Sequence, residues 1–240
     1  MITKKTCLNT KILLLLGTIK TGKKPPECFW TIDGDLDFNG MSIGPLRWNF
    51  EQMTFQSLLT KLITVNNIAY HNSIGAYANI LKDVLDQPLE KQMQWIRSIQ
   101  KNNNISGDWL LKFQALGKTP EFQKIMVEDA LLKYFLGAKG MMPTYELKSQ
   151  RGYALLCYIR TQNEYIKEET KKTILKDFKN AKTEEDKLKI IVSRRAEIAN
   201  SESKEDAIKK EFMIANGSGM INDMKFDLSE DYFITMENAF

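Results

Sequence analysis

The chain is poor in the side chains that many hydrolytic and metal chemistries need. In 240 residues it has one histidine, His71, and three cysteines, Cys7, Cys28 and Cys157. One imidazole leaves no redundancy for a Ser-His-Asp or Cys-His system and rules out a multi-histidine metal site. The cysteines are odd in number and lack C-x-x-C spacing, which argues against a disulfide framework and a zinc site. Long apolar runs are missing too. The stretch from Ile12 to Leu16 falls far short of the roughly 20 residues needed to cross a bilayer. Ordinary charge and aromatic content exclude long-range disorder, collagen-like repeats and a coiled-coil rod. Carboxylates are plentiful, so any catalysis is expected to run on Asp and Glu, with no metal or organic cofactor.

The length fits a single domain over 1–240, or two closely joined lobes, with a sizeable core. The formal charge of +4 hides an asymmetry. Residues 1–120 carry 14 basic and 9 acidic side chains, against 20 and 21 in residues 121–240. Lys4, Lys5, Lys11, Lys20, Lys23 and Lys24 all precede the first acid, Glu27. Such an edge attracts anionic polymers, or is simply a solvated lysine-rich helix. No segment interleaves basic and stacking residues in the manner of a nucleic-acid module, so no nucleic-acid partner is expected.

The N-terminal segment places Lys4 and Lys5 before the short apolar run and so mimics a secretory signal, but offers no A-x-A-like cleavage site. A retained, buried helix is expected, capped by Asn9 or Thr10, ended at Gly22 and blocked by Pro25-Pro26. Residues 23–49 are the least helical part. Phe29, Trp30 and Ile32 suggest a strand, and turns at Asp33-Gly34 and Asn39-Gly40 suggest a small hairpin over about 29–44. Phe55, Leu58, Leu59, Leu62 and Ile63 then form the stripe of a core-facing helix. Further helices are predicted at about 74–86, 88–101, 106–116, 119–137, 146–163, 167–179, 183–199 and 203–215. A short strand and an acidic turn close the chain. The fold class is mainly α, α+β with one hairpin.

The most informative stretch is Asp33-Gly34-Asp35-Leu36-Asp37-Phe38-Asn39-Gly40-Met41-Ser42. Asp33, Asp35 and Asp37 match the first three ligand positions of an EF-hand, but Phe38 and Gly44 stand where that loop needs Gly and Glu. An acidic turn and a catalytic carboxylate are the other two readings. With TGKKPPECF upstream, WN and FQSLL downstream, and later WLLKFQALGKTPEFQKIMVEDA, ELKSQRGYALLCYIRTQN and RRAEIANSESKEDAIKKEFMIANGSGMIND, the chain resembles the chitosanase family of the lysozyme superfamily. More closely, it is similar to the chitosanase-like peptidoglycan-active proteins of bacteria and phages.

That resemblance implies a lysozyme-like, two-lobed helical body with a sugar chain in a cleft. It also implies an acid/base pair that cleaves β-1,4 glycosidic bonds, with inversion. Asp37 matches the family aspartate that handles the attacking water. The family glutamate is expected just before Thr-Gly at the end of the first helix, and here Lys20 precedes Thr21-Gly22. An ammonium is a poor proton donor to a glycosidic oxygen, and it opposes a cationic transition state. Either Glu27 has taken over as acid beside Phe29 and Trp30, or the fold persists as a glycan-binding or inhibitory module without turnover, or position 20 is substituted in an otherwise active enzyme.

Asp35, Ser42, Arg47, Trp48 and Asn49 are the candidate glycan contacts, through hydrogen bonds and, for Trp48, stacking. Arg47, where the resemblance favours an amide, suits a muramyl lactate or peptide carboxylate. The resemblance places the first arginine of Arg194-Arg195 in a buried position. The expected partner is peptidoglycan or a related amino-sugar polymer. The expected place of action is the periplasm or cell wall, reached by specialised secretion, a phage particle or lysis.

Overall fold

The computed structural model describes residues 2–35, 38–162, 166–199 and 201–240, without the side chains at 202 and 203. It is mainly α-helical with small antiparallel sheets, as the periodicity predicts. The chain forms two compact units, one from Met1–Ile19 with Leu131–Phe240 and the other from Lys20–Ala130.

The first unit contains most of helix α1 (Leu8–Thr21), in which every residue from Lys11 to Ile19 is buried. A helix apolar all round is stable only when covered on all sides. Burying the five aliphatic side chains from Ile12 to Leu16 contributes on the order of 10 kcal/mol before chain entropy is counted. This segment is therefore a structural helix of the fold. No helix among the described residues is long and apolar enough to cross a membrane. Lys11 Nζ donates to the carbonyls of Lys4 (3.1 Å) and Phe233 (3.4 Å), which solvates the buried ammonium. The helix ends at Gly22, whose φ of 67° suits a residue without Cβ.

The second unit opens with a short 3₁₀ turn, Glu27–Phe29, and a three-stranded antiparallel sheet of β1 (Ile32–Asp33), β2 (Ser42–Ile43) and β3 (Trp48–Asn49). The expected hairpin thus gains a third strand, while Phe29 lies in the 3₁₀ turn rather than in a strand. Five helices follow, interrupted by one hairpin: α2 (Thr54–Val65), α3 (Asn67–Ile74), α4 (Ala78–Leu85), α5 (Leu89–Ser98), then β4 (Gln100–Lys101) and β5 (Asn104–Ile105), then α6 (Gly107–Lys118). Helix α7 (Pro120–Ala130) closes the unit, beginning at Pro120 as its N1 signal requires. Phe55, Leu58, Leu59 and Leu62 of α2 are buried, and Phe55 meets Phe113 and Phe122 edge-on at 5.7 and 6.2 Å.

The β4–β5 hairpin corrects the helix predicted through 101. Asn102 and Asn103 both take left-handed φ values, 51° and 57°, which a two-residue type I′ turn demands and asparagine tolerates. The tail repeats the device. Asn222 and Asp223, at φ 47° and 61°, join β6 (Ser218–Ile221) to β7 (Met224–Asp227), where a single strand was expected.

In the first unit the single helix predicted over 119–137 gives way after Ala130 to a π-helical turn, Leu131–Phe135, and α8 (Leu136–Met141). Then come α9 (Gln150–Thr161), α10 (Glu168–Asp177), α11 (Glu184–Ala196), α12 (Glu202–Asn216) and, after the β6–β7 hairpin, α13 (Leu228–Tyr232). Thr183 and Asp186 form a capping box at the start of α11. The buried arginine of the Arg194-Arg195 pair is the second, not the first. Arg195 (5% exposed) grips the fully buried Glu211 through two parallel bonds of 2.8 and 2.9 Å, whereas Arg194 pairs with Asp177 and Glu197.

This buried pair yields a test. Glu211→Ala strands a guanidinium in the core and is expected to cost about 3–5 kcal/mol, whereas the double change Arg195→Met with Glu211→Leu is expected to cost far less. Urea denaturation followed by circular dichroism measures both; equal losses would show that the pair is not acting as a unit.

Candidate active site

The chemistry-bearing segment begins where α1 ends. Lys20 lies in the last turn of α1 and is half-buried. Glu27 starts the 3₁₀ turn with its side chain exposed. Its aromatic neighbours do not enclose it: Phe29 is buried in the core, and the ring of Trp30 carries Lys118 Nζ at 5.4 Å. The apolar wall that the acid role calls for is therefore not built around Glu27. Both buried thiols are poor nucleophiles at neutral pH. Burial pushes Cys28 up to about 12 and raises Cys157 well above the ordinary thiol range.

The sheet register sets Asp33, Ser42 and Asn49 opposite one another across the three strands, with Ile32, Ile43 and Trp48 as the alternate row. Opposed residues share a face, so the polar residues form one row and the apolar residues the other. Ser42 and Asn49 are both buried. Asn49 is consumed locally: its Oδ1 accepts from Gln52 N at 2.8 Å, and its Nδ2 donates to Gln52 Oε1 at 3.2 Å. These bonds fix the entry to α2 and leave Asn49 as a turn-former rather than an open glycan contact. Arg47, at φ 57° in the β2–β3 turn, reaches Asp33 at 3.2 Å and stays substantially exposed.

Trp48 is corrected more sharply. Its side chain is almost wholly buried (3% exposed), and its Nε1 donates to Asp129 Oδ2 at 2.7 Å. An indole so enclosed presents no free face to a sugar ring.

Asp35 is likewise committed to the protein. Its Oδ1 accepts from Gly40 N at 2.8 Å, its Oδ2 from Arg97 Nε at 2.7 Å, and its own N–H donates to Gln100 Oε1 at 3.0 Å. Gln100 Nε2 then donates to the carbonyls of Gly40 and Ile96. Asp35 thus closes the acidic loop on itself and ties it to α5 through its carboxylate, and to β4 through its own N–H. Gly34 belongs to the same junction, because a Cβ there would fall 1.6 Å from the Asn103 carbonyl oxygen. Beyond the clamp stands Phe38, 81% exposed at φ 61°.

Asp37 lies outside the described residues. Of its two acidic neighbours, Asp33 is held by Arg47 and Asp35 by Arg97. Their carboxylates do not converge as calcium ligands would, and among the described residues no group of three or more His, Cys, Asp or Glu is placed to hold a metal. His71 is exposed.

Sequence reasoning missed Asp33 as the partner of Arg47, Asp129 as the acceptor for Trp48, and Arg97 with Gln100 as the loop's anchors. The anchors lie some sixty residues along the chain and carry no local signal. Phe38 left one trace, an aromatic side chain in a turn rich in Asp and Gly.

No protein-family model matches the chain, and no curated protein matches it in sequence. Solved structures do. A chitosanase in a complex aligns with a TM-score of 0.53 and 14% identity over 91% of this chain and 95% of its own. Chitosanase OU01, crystallised with substrate, gives 0.53 and 13% over the same shares. A native chitosanase from Bacillus subtilis MY002 gives 0.51 and 10% over 98% of this chain and 93% of its own. The fold is chitosanase-like.

The clamp is open to measurement. Asp35→Ala removes the acceptor for Gly40 N–H and the partner of Arg97, at an expected cost of about 1–3 kcal/mol. Asp33→Asn breaks only a solvent-exposed pair and is expected to stay within about 1 kcal/mol of the parent. Chemical denaturation of the two variants side by side checks the ranking.

Proposed function

We propose that this protein acts on an amino-sugar polymer, the glycan backbone of peptidoglycan, and hydrolyses its β-1,4 bonds by carboxylate acid/base catalysis. The observation that carries the reading is the sorting of the acidic loop: Asp33 and Asp35 are each committed to an arginine. Within the Asp-x-Asp-x-Asp run this supports giving Asp37 the chemical role, that of orienting or deprotonating the attacking water. Glu27, ten residues earlier in the sequence, serves as the acid that protonates the leaving oxygen. In an inverting arrangement the two carboxyl groups stand about 6.5–9.5 Å apart to admit that water.

Arg47 supports a carboxylate-bearing glycan. It is already paired with an acid and well exposed, so a lactyl or peptide carboxylate of the wall polymer competes with Asp33 for its guanidinium. Delivery to the wall by specialised secretion, a phage particle or lysis belongs to the same proposal.

A second reading is favoured by Lys20 and by the exposure of Glu27. A cation at the position of the family acid, with no enclosed carboxyl to replace it, suits a glycan-binding or inhibitory module without turnover.

Turbidity loss and reducing-end release from a peptidoglycan suspension separate the two readings. For the enzyme, Asp37→Asn and Glu27→Gln are each expected to lower the rate about a hundredfold or more. An inactive parent that gains strong activity in Lys20→Glu establishes the binding module. Equal rates in the parent and Asp37→Asn discard the site.

A further inference from the structure

We infer that Phe38 is a sugar-stacking residue, held out to solvent beside Asp37 in the chain, and that its ring packs on a pyranose of the amino-sugar polymer. The inference rests on the glycan reading above and adds a contact that the sequence had assigned to Trp48.

A single exposed apolar residue is ordinary on a protein surface. Phe38 differs in how it comes to be exposed. Its φ of 61° lies in the left-handed region, which is disfavoured for a bulky side chain and persists only where the surroundings over-determine it. Those surroundings are visible on both sides of the residue. Upstream, Gly34 is wedged against the Asn103 carbonyl, and Asp35 is bonded to Arg97 and Gln100. Downstream, Asn39 O accepts from Met41 N (2.9 Å) and Glu51 N (3.2 Å). Gly40 is bonded through its N–H to Asp35 and through its carbonyl to Gln100, and a Cβ on it would press against Ile96 and Met93.

The polypeptide thus accepts an unfavourable backbone angle and forgoes the burial of an aromatic ring, both at the residue next to Asp37. A benzyl side chain has no hydrogen-bonding group, so its contribution to recognition is contact through its face. The C–H face of a pyranose provides the partner, and the ammonium of a de-acetylated amino sugar adds a cation–π attraction. Trp48 cannot supply this contact, being enclosed and bonded to Asp129.

The test compares the parent with Phe38→Ala, Phe38→Gly, Phe38→Trp and Asp37→Asn. Affinity for a glucosamine hexasaccharide and for soluble peptidoglycan strands is measured by calorimetry, and Tm is recorded for each protein. Phe38→Ala is expected to raise Kd by about three- to thirtyfold, with Phe38→Trp staying within about twofold of the parent. Phe38→Gly is expected to raise Tm by relieving the positive φ, while weakening binding as much as alanine does. Affinity and stability then move in opposite directions, which a purely structural role would not produce.

Unchanged affinity in Phe38→Ala, or a Phe38→Trp as weak as alanine, overturns the inference. A parent that binds neither glycan overturns it together with the proposed function. If Phe38→Ala weakens binding but Asp37→Asn leaves turnover intact, the catalytic assignment falls and the stacking residue stands.

Discussion

The first helix sets the terms for everything after it. Nine consecutive buried residues in α1 require cover on every side, and among the cover is the far end of the chain, where the Phe233 carbonyl takes the Lys11 ammonium. The chain's beginning and its second half therefore complete one unit, and residues 20–130 form the other. The candidate site residues follow in the second unit, from Lys20 onward in the chain. Gly22 stops the helix, Pro25-Pro26 prevents its resumption, and the sheet and acidic loop follow within a few residues.

Within that segment, charge is sorted rather than pooled. Three aspartates at alternate positions would repel one another if left together. Instead Asp33 and Asp35 are drawn to arginines on different elements, one in the β2–β3 turn and one in α5. The two pairs do different work. The Asp33–Arg47 pair is partly exposed and contributes little to stability. The Asp35–Arg97 pair is reinforced by two further bonds and fixes backbone. In this chitosanase-like fold, with a lysine at the end of α1, Asp33 and Asp35 are each held by an arginine of their own.

What could be read in the sequence was mostly local. The α2 stripe, the helix start at 119–120 and the stop at Gly22 each depend on residues within one or two turns, and each appears in the structure. The site was legible only in outline. The Asp-rich turn announced itself, but whether Trp48 faces water or core depends on Asp129, eighty-one residues away. Likewise, the commitment of Asp35 depends on Arg97 and Gln100. The two hairpins with Asn-Asn and Asn-Asp turns were readable in principle. Asn102-Asn103 sits at the end of a helical pattern, and helix periodicity outweighed turn chemistry there.

Gly34 bears on how this protein can change over time. A Cβ at this position would fall on the Asn103 carbonyl, so no side chain fits while the β4–β5 turn keeps its present course. The two positions are thus bound into one heritable unit: position 34 can drift away from glycine only in a lineage whose β4–β5 turn has already been rebuilt. Among diverged relatives, a shorter or longer β4–β5 turn should travel with a relaxed residue 34, making this pair of sites a marker of descent.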